Sequence, residues 1–433
     1  MTAPDTNGDT AHAAPATSPT GDQGSALGGG QKTTPLLGVH KRLGATLTPF
    51  AGWLMPLRYA SETAEHNAVR TAAGLFDLSH MGEIAVTGPG AGAALDYALT
   101  GHLSAVAPGR ARYTMICAPD GGVLDDLVVY RLGDDEYLVV ANAANAAVVY
   151  GELTRRSAGH DAVVSDVSLD NALIAIQGPK AAAILSRRAE PPHGSLAGAW
   201  LIELKYYASV RATVAGISVL LARTGYTGED GFELFCRPDQ AVALWTALAD
   251  AGGGELTPVG LSARDTLRLE AGMPLYGNEL GQDMTPFEAG LGRVVRFDKP
   301  GDFVGREALE KRAETGPVSK LIGLVSRTRR VPRHGYPVLR GGEMIGTVTS
   351  GAPSPTLGRP IAMAYVRPDA VDAIDAVDAK DAAGPAQAAN GPGSPRGSAA
   401  REEAGTAGRL AVDVRGHAEP ADYVQLPFYR RAK

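Results

Sequence analysis

Between residues 111 and 141 the chain repeatedly alternates apolar and polar positions and breaks the pattern with turn residues. Arg112-Tyr113-Thr114-Met115-Ile116 runs into the turn Pro119-Asp120-Gly121-Gly122, and residues 123–132 run into Gly133-Asp134-Asp135. Tyr137-Leu138-Val139-Val140 completes the segment. Strands joined by such turns predict an antiparallel meander. An approximate repeat flanks it. Glu83-Ile84-Ala85-Val86-Thr87-Gly88-Pro89 leads into an Ala-rich stretch ending at Leu99. Leu173-Ile174-Ala175-Ile176-Gln177-Gly178-Pro179 leads in the same way into residues 180–185. Each copy reads as strand, Gly-Pro turn and helix, as in the split β–α–β units of an α+β domain. Beyond Pro300 the pattern changes to short apolar runs between turns, at 321–325, 336–339, 344–348 and 361–366. These predict a separate β-barrel or sandwich, closed by a last strand at 409–414.

The 433 residues suggest about three domains at roughly 150 residues each. Residues 1–33, rich in Thr, Ala, Gly, Asp, Pro and Ser, are expected to form a disordered tail with neither a secretory nor an organelle-targeting pattern. A second low-complexity stretch at about 370–408 is poor in large apolar residues and cannot offset its ordering entropy by burial. Because apolar sequence resumes after it, it is expected to be an insertion in the last domain. The expected division is therefore a tail at 1–33, two interleaved α+β domains at 34–300, and a barrel at 301–433. No run approaches the roughly 20 apolar residues of a membrane helix. A net charge of −6 disfavours a broad nucleic-acid surface, and two cysteines exclude a disulfide framework or a four-thiolate metal site. These features point to an intracellular, cytoplasmic protein with neither membrane nor nucleic-acid partners.

Candidate chemistry lies in three places. Asp125-Asp126 sits inside Val123-Leu124-…-Leu127-Val128-Val129-Tyr130, where alternation sends the two carboxylates to opposite and otherwise apolar faces. At least one is expected in apolar surroundings, where it serves function or is satisfied structurally. The second is Arg223-Thr224-Gly225-Tyr226-Thr227-Gly228-Glu229-Asp230-Gly231-Phe232-Glu233-Leu234, either a glycine-rich β-turn or a ligand loop. In the third, helical spacing puts Leu261, Arg264, Arg268 and Ala271 on one side. Arg264 there suits a bidentate carboxylate clamp, or else surface pairing with Asp265 or Glu270. The nine histidines form no metal-binding pattern, no G-x-S-x-G occurs, and Gly88-Pro89-Gly90-Ala91-Gly92 lacks the last glycine of a dinucleotide loop.

Read together, these stretches resemble the glycine cleavage T-proteins, the folate-dependent aminomethyltransferases, over about residues 34–368 and 409–430. Further carriers of the resemblance are Phe50-Ala51-Gly52-Trp53-Leu54-Met55-Pro56, Gly74-Leu75-Phe76-Asp77-Leu78-Ser79-His80-Met81, Thr349-Ser350-Gly351-Ala352-Pro353-Ser354-Pro355-Thr356-Leu357-Gly358, and Leu426-Pro427-Phe428-Tyr429. The resemblance implies three domains around tetrahydrofolate, the barrel last. It also implies transfer of an aminomethyl carbon from the lipoyl arm of H-protein to tetrahydrofolate, with looser association to the P- and L-proteins and no metal. The family's catalytic aspartate falls on Asp126, leaving Asp125 a structural role. Tyr113, Asn142, Tyr226, Glu233, Arg264 and Tyr429 would belong to the folate site, Glu233 as a bidentate acceptor for the pterin edge. His80 stays outside this set. Arg293, Arg296 and Lys299 suit either an acidic carrier or a solvated face. The competing readings are a related folate-dependent demethylase and a non-catalytic folate-binding protein assisting iron–sulfur cluster assembly. The latter relies on a reactive cysteine, whereas Cys117 and Cys236 sit in runs typical of buried thiols.

Overall fold

The computed structural model describes residues 31–191, 200–371 and 410–432. Residues 1–30 and 372–409, which hold most of the expected tail and insertion, lie outside the described residues. At their borders the folded chain reaches further than composition suggests. Lys32–Thr33 is a strand pairing in parallel with Trp53 and Leu54, and Ala370 and Val371 are buried in the barrel core. Among the described residues no helix is long and apolar enough to cross a membrane.

The predicted meander is present as strands Arg110–Cys117, Val123–Arg131 and Glu136–Ala141. They continue into Gly82–Thr87 and Val163–Asp166 as one antiparallel five-stranded sheet. A second, seven-stranded sheet has the order 189–190, 209–214, 217–222, 231–236, 172–177, 73–77, 256–258. The flanking repeat is a structural one. Strand Gly82–Thr87 turns into helix Ala91–Ala98, and strand Ala172–Gln177 into helix Ala181–Leu185. Each helix is followed by a three-stranded meander that returns beside the first strand. The Gly-Pro turns match in detail: Gly88 and Gly178 adopt φ 113° and 135°, which favours glycine. Their amides donate to the carbonyls of Asp135 and Asp230, each just before the last strand of its meander. In the first turn the Gly88 and Gly90 amides are spent on carbonyls of the protein, which removes the donors a phosphate loop would need.

Alternation gives each sheet two apolar faces. Ile84, Val86, Leu127, Val129 and Val139 pack beneath the helices of the first half, and Leu75, Ile174, Ile176, Phe232 and Leu234 beneath those of the second. The remaining faces share a cluster with each other, in which Tyr130, Leu138 and Val140 meet Phe76, Leu173, Ala175 and Phe235. Asp126 is in register with Val128 and Tyr130 on one of these faces, and Glu233 with Phe235 on the other. The two carboxylates thus enter from opposite sheets.

The last region is a closed six-stranded barrel in the order 320–326, 359–366, 343–354, 337–340, 410–414, 417–424. The closing strand is His417–Val424, not the expected one at 409–414. Its sequence, HAEPADYV, hides it by being polar and holding a proline. Pro420 is tolerated because pairing with the first barrel strand starts only at Ala421.

Candidate active site

Asp125 and Asp126 leave strand Val123–Arg131 in opposite directions and meet different surroundings. Asp125 is fully buried. It accepts hydrogen bonds from the Asn142 backbone N–H (2.9 Å), Asn142 Nδ2 (2.8 Å) and Asn145 Nδ2 (2.7 Å). Burial and the neighbouring Asp126 charge push its pKa up to about 7, against these bonds. Asp126 is half-buried; Tyr113 Oη donates to its Oδ2 (2.9 Å) and Asn142 Nδ2 to its Oδ1 (2.8 Å). Burial raises its pKa and the two donors partly offset that rise.

On the facing sheet, Glu233 Oε2 accepts from Tyr130 Oη of the first sheet (3.1 Å) and from Thr224 Oγ1 (2.5 Å). Oε1 receives no hydrogen bond among the described residues, so one oxygen is left for a ligand where the bidentate expectation needs two. Tyr226 gives its hydroxyl to the Pro274 carbonyl (2.5 Å), which leaves its ring as the available surface. The Arg264 guanidinium lies 4.9 Å from that ring's centroid. It makes no hydrogen bond to protein among the described residues, while burial lowers its pKa against the nearby Tyr226 and Glu233. The two arginines of this helix divide the alternatives open at the sequence level. Arg268 takes the structural one, bonded to Asp265 (2.8 Å), Glu279 (3.0 Å) and Ser350 (2.8 Å), and Arg264 is left uncommitted. In the glycine-rich loop, likewise, Asp230 is clamped by Arg223 (2.9 and 2.6 Å) and Glu229 by Arg70 (2.9 Å). Of the three carboxylates, Glu233 alone has no arginine partner among the described residues.

Tyr113, Asn142 and Asp126 therefore form one directly bonded group, and Tyr226 and Arg264 a second that is electrostatically coupled to Glu233 and, through Tyr226, to Asp126. Tyr429 is elsewhere. Its ring stacks on Arg70 at 4.0 Å and its backbone N–H donates to the Glu270 carbonyl (2.8 Å), with no contact to Asp126 or Glu233. Sequence reasoning missed the supports Tyr130, Thr224 and Asn145, whose contacts lie 103, 9 and 20 residues apart in the chain. His80 is buried beside Arg264; burial and that charge hold it neutral, at about 4, against the opposing pull of Asp77. Cys117 and Cys236 are buried and free, their thiols pushed up to about 12 by burial. Lys299 does not join a basic docking face. It is buried, its ammonium bonded to the carbonyls of Asp96 (2.6 Å), Leu99 (2.5 Å) and Gly101 (2.9 Å) at the end of helix Ala91–Ala98, while Arg296 pairs with Asp298. Among the described residues no group of three His, Cys, Asp or Glu is gathered to hold a metal ion.

Residues 36–299 match the family model of the GCVT N-terminal domain, and residues 320–430 that of the glycine cleavage T-protein C-terminal barrel domain. The chain is 58% identical over 404 residues to an aminomethyltransferase of Streptomyces avermitilis, covering 92% of this chain and 98% of that one. It is 44% identical over 402 residues to an aminomethyltransferase of Rubrobacter xylanophilus, covering 93% and 95%. The crystal structure of glycine cleavage system aminomethyltransferase T from Bartonella henselae superposes with a TM-score of 0.76 at 34% identity, covering 93% of this chain and all of that one. With both halves of the chain matched in order and its relatives matched almost end to end, the chain belongs to the glycine cleavage T-protein family of aminomethyltransferases.

Proposed function

We propose that this aminomethyltransferase moves the aminomethyl carbon from the lipoyl arm of H-protein to tetrahydrofolate, with Asp126 as the catalytic group and Tyr113, Asn142, Tyr226, Glu233 and Arg264 forming the folate site. The observation that carries the reading is the set of hydrogen-bonding groups left unused on the two facing sheets and the adjoining helix. Arg264 keeps its donors, Glu233 keeps Oε1, Asn142 keeps its side-chain oxygen, and Asp126 keeps lone pairs beyond those given to Tyr113 and Asn142. None of these groups is sealed from solvent, so each is open to exchange water for a ligand that supplies the matching donor or acceptor. A folate offers what they lack: a pterin edge rich in N–H donors for the carboxylate and amide oxygens, and acceptors for Arg264. Tyr429 packs on Arg70 and Glu229 and enters this reading as a support of the loop bearing Tyr226.

The chemistry suits these residue types. The carbon gains bonds to two folate nitrogens and loses those to sulfur and to the amino nitrogen. Two N–H protons leave the folate; one completes ammonia and the other the lipoyl thiol. Asp126, with a pKa above the ordinary carboxylate range, orients the attacking nitrogen and helps remove its proton. Holding the nitrogen beside the lipoyl carbon supplies much of the remaining acceleration. A role through a reactive cysteine gains nothing from two buried thiols at about 12. The test is ammonia release from aminomethyl-loaded H-protein with and without tetrahydrofolate. Folate-dependent release with methylenetetrahydrofolate formed is expected; folate binding without any stimulation would refute the reaction.

A further inference from the structure

Asn142 is held by the carboxylate that faces away from the site. Its Nδ2 is surrounded by three oxygens: Asp125 Oδ1 (2.8 Å), Asp126 Oδ1 (2.8 Å) and, more distantly, the Asp126 carbonyl (3.3 Å). Its backbone N–H donates to Asp125 Oδ2 (2.9 Å). An amide nitrogen has two hydrogens, and the two short contacts take both. This fixes which end of the amide is which, because the reverse orientation would set the amide oxygen against two carboxylates. The Asn142 side-chain carbonyl (Oδ1) then points away from both aspartates and receives no hydrogen bond among the described residues, whereas its backbone carbonyl accepts from the Asn145 N–H (2.9 Å). Asp125 also accepts from Asn145, at the start of helix Ala146–Arg156, so the carboxylate grips both ends of the turn that carries Asn142.

We propose that Asp125 is a positioning residue of the transfer reaction, acting through Asn142: by taking one amide hydrogen it commits the other to Asp126 and presents the Asn142 carbonyl to the folate as a hydrogen-bond acceptor. The assignment rests on the folate reading of the site. It gives Asp125 a task beyond satisfying a turn. With Asp125 replaced by an amide, the turn is still bridged, but Asn142 is free to rotate its carbonyl inward, withdrawing a donor from Asp126 and turning donors toward the ligand. A folate N–H would then face N–H.

The test compares Asp125→Asn with Asp96→Asn. Asp96 is another buried carboxylate of the same half, accepting from the Leu103 and Ser104 backbone N–H groups and the Ser104 hydroxyl, away from the site. Stability, and kcat and KM for tetrahydrofolate in the loaded-carrier assay, are measured for both. Asp125→Asn is expected to lower kcat/KM at least about tenfold more than Asp96→Asn at comparable stability. In an Asn142→Ala background it is expected to add less than about threefold, since the two residues act as one unit. Equal kinetics for the two aspartate variants, or losses that multiply with Asn142→Ala, would overturn the role. If Asp125→Asn does not fold, Asp125→Ser, which still offers an acceptor to the Asn142 backbone, carries the same comparison. A wild-type protein without folate-dependent ammonia release would overturn the underlying reaction instead, and would show it before any variant is made.

Discussion

Replacing Glu270 by Gln should cost the protein about 3 kcal/mol at neutral pH and about 2 kcal/mol at pH 3.5. Glu270 ends helix Leu261–Glu270 and has a fully buried side chain. Its oxygens accept from His66 Nε2 (3.0 Å), Arg70 Nε (3.1 Å) and Nη2 (2.9 Å), Ser354 Oγ (2.5 Å), and the Thr356 N–H (3.1 Å) and hydroxyl (2.7 Å). One carboxylate thus joins helices Glu62–Thr71 and Leu261–Glu270 to a turn of the barrel. Burial alone would raise its pKa, but the donors from His66, Ser354 and Thr356 outweigh that and hold it at about 2, against an ordinary 4.5. At 1.36 kcal/mol per pH unit, the difference is worth about 3 kcal/mol. The folded-state value is the lower one, so this stability is fully present above about pH 4.5 and is lost as pH falls through about 2. At pH 3.5 about 2 kcal/mol remains. Glutamine cannot reproduce it: its NH₂ would meet other donors, and Arg70 would keep Glu229 as its one carboxylate partner among the described residues. Urea unfolding of wild type and Glu270→Gln at pH 7 and pH 3.5 measures both quantities. A gap below about 1 kcal/mol at pH 7, or one that does not narrow at pH 3.5, would refute the reasoning.

The remaining predictions concern the site and the thiols. Asp126→Asn should lower folate-dependent ammonia release by more than tenfold, about 1.4 kcal/mol; a smaller loss would remove Asp126 from the chemistry. Arg264→Ala should weaken tetrahydrofolate binding by about 10- to 100-fold, the worth of a charge-assisted hydrogen bond, as read by equilibrium titration. It should leave thermal stability nearly unchanged, because Arg264 gives up no protein hydrogen bond and only its stacking on Tyr226. Cys117 and Cys236 should resist alkylation at pH 8 in the folded protein and react once it is unfolded in urea, as followed by mass spectrometry. Gly260→Ala should destabilise the protein in thermal unfolding, because the added Cβ would run into the Leu57 carbonyl, a backbone atom that cannot step aside cheaply.

The sequence alone determined what depends on near neighbours. Period-two alternation and turn residues placed the meander at 111–141, and the two Gly-Pro turns exposed a duplication whose folded copies agree down to the positive φ of Gly88 and Gly178. Ordered motifs along the chain carried the family. What tertiary structure decided is which member of each ambiguous set is committed elsewhere. Asp125 and Asp126, Arg264 and Arg268, and Glu229, Asp230 and Glu233 are alike in local pattern. Distant partners separate them: Asn142 and Asn145 for Asp125, Glu279 and Ser350 for Arg268, Arg70 for Glu229, and Arg223 across the loop for Asp230. Lys299 and the closing barrel strand follow the same rule. A lysine bonded to three carbonyls about 200 residues away reads locally as a surface cation, and HAEPADYV reads as a loop until strands on both sides claim it. Spacing reports which face a side chain occupies. Whether its hydrogen bonds are already spent depends on groups brought together only when the sheets, helices and barrel pack.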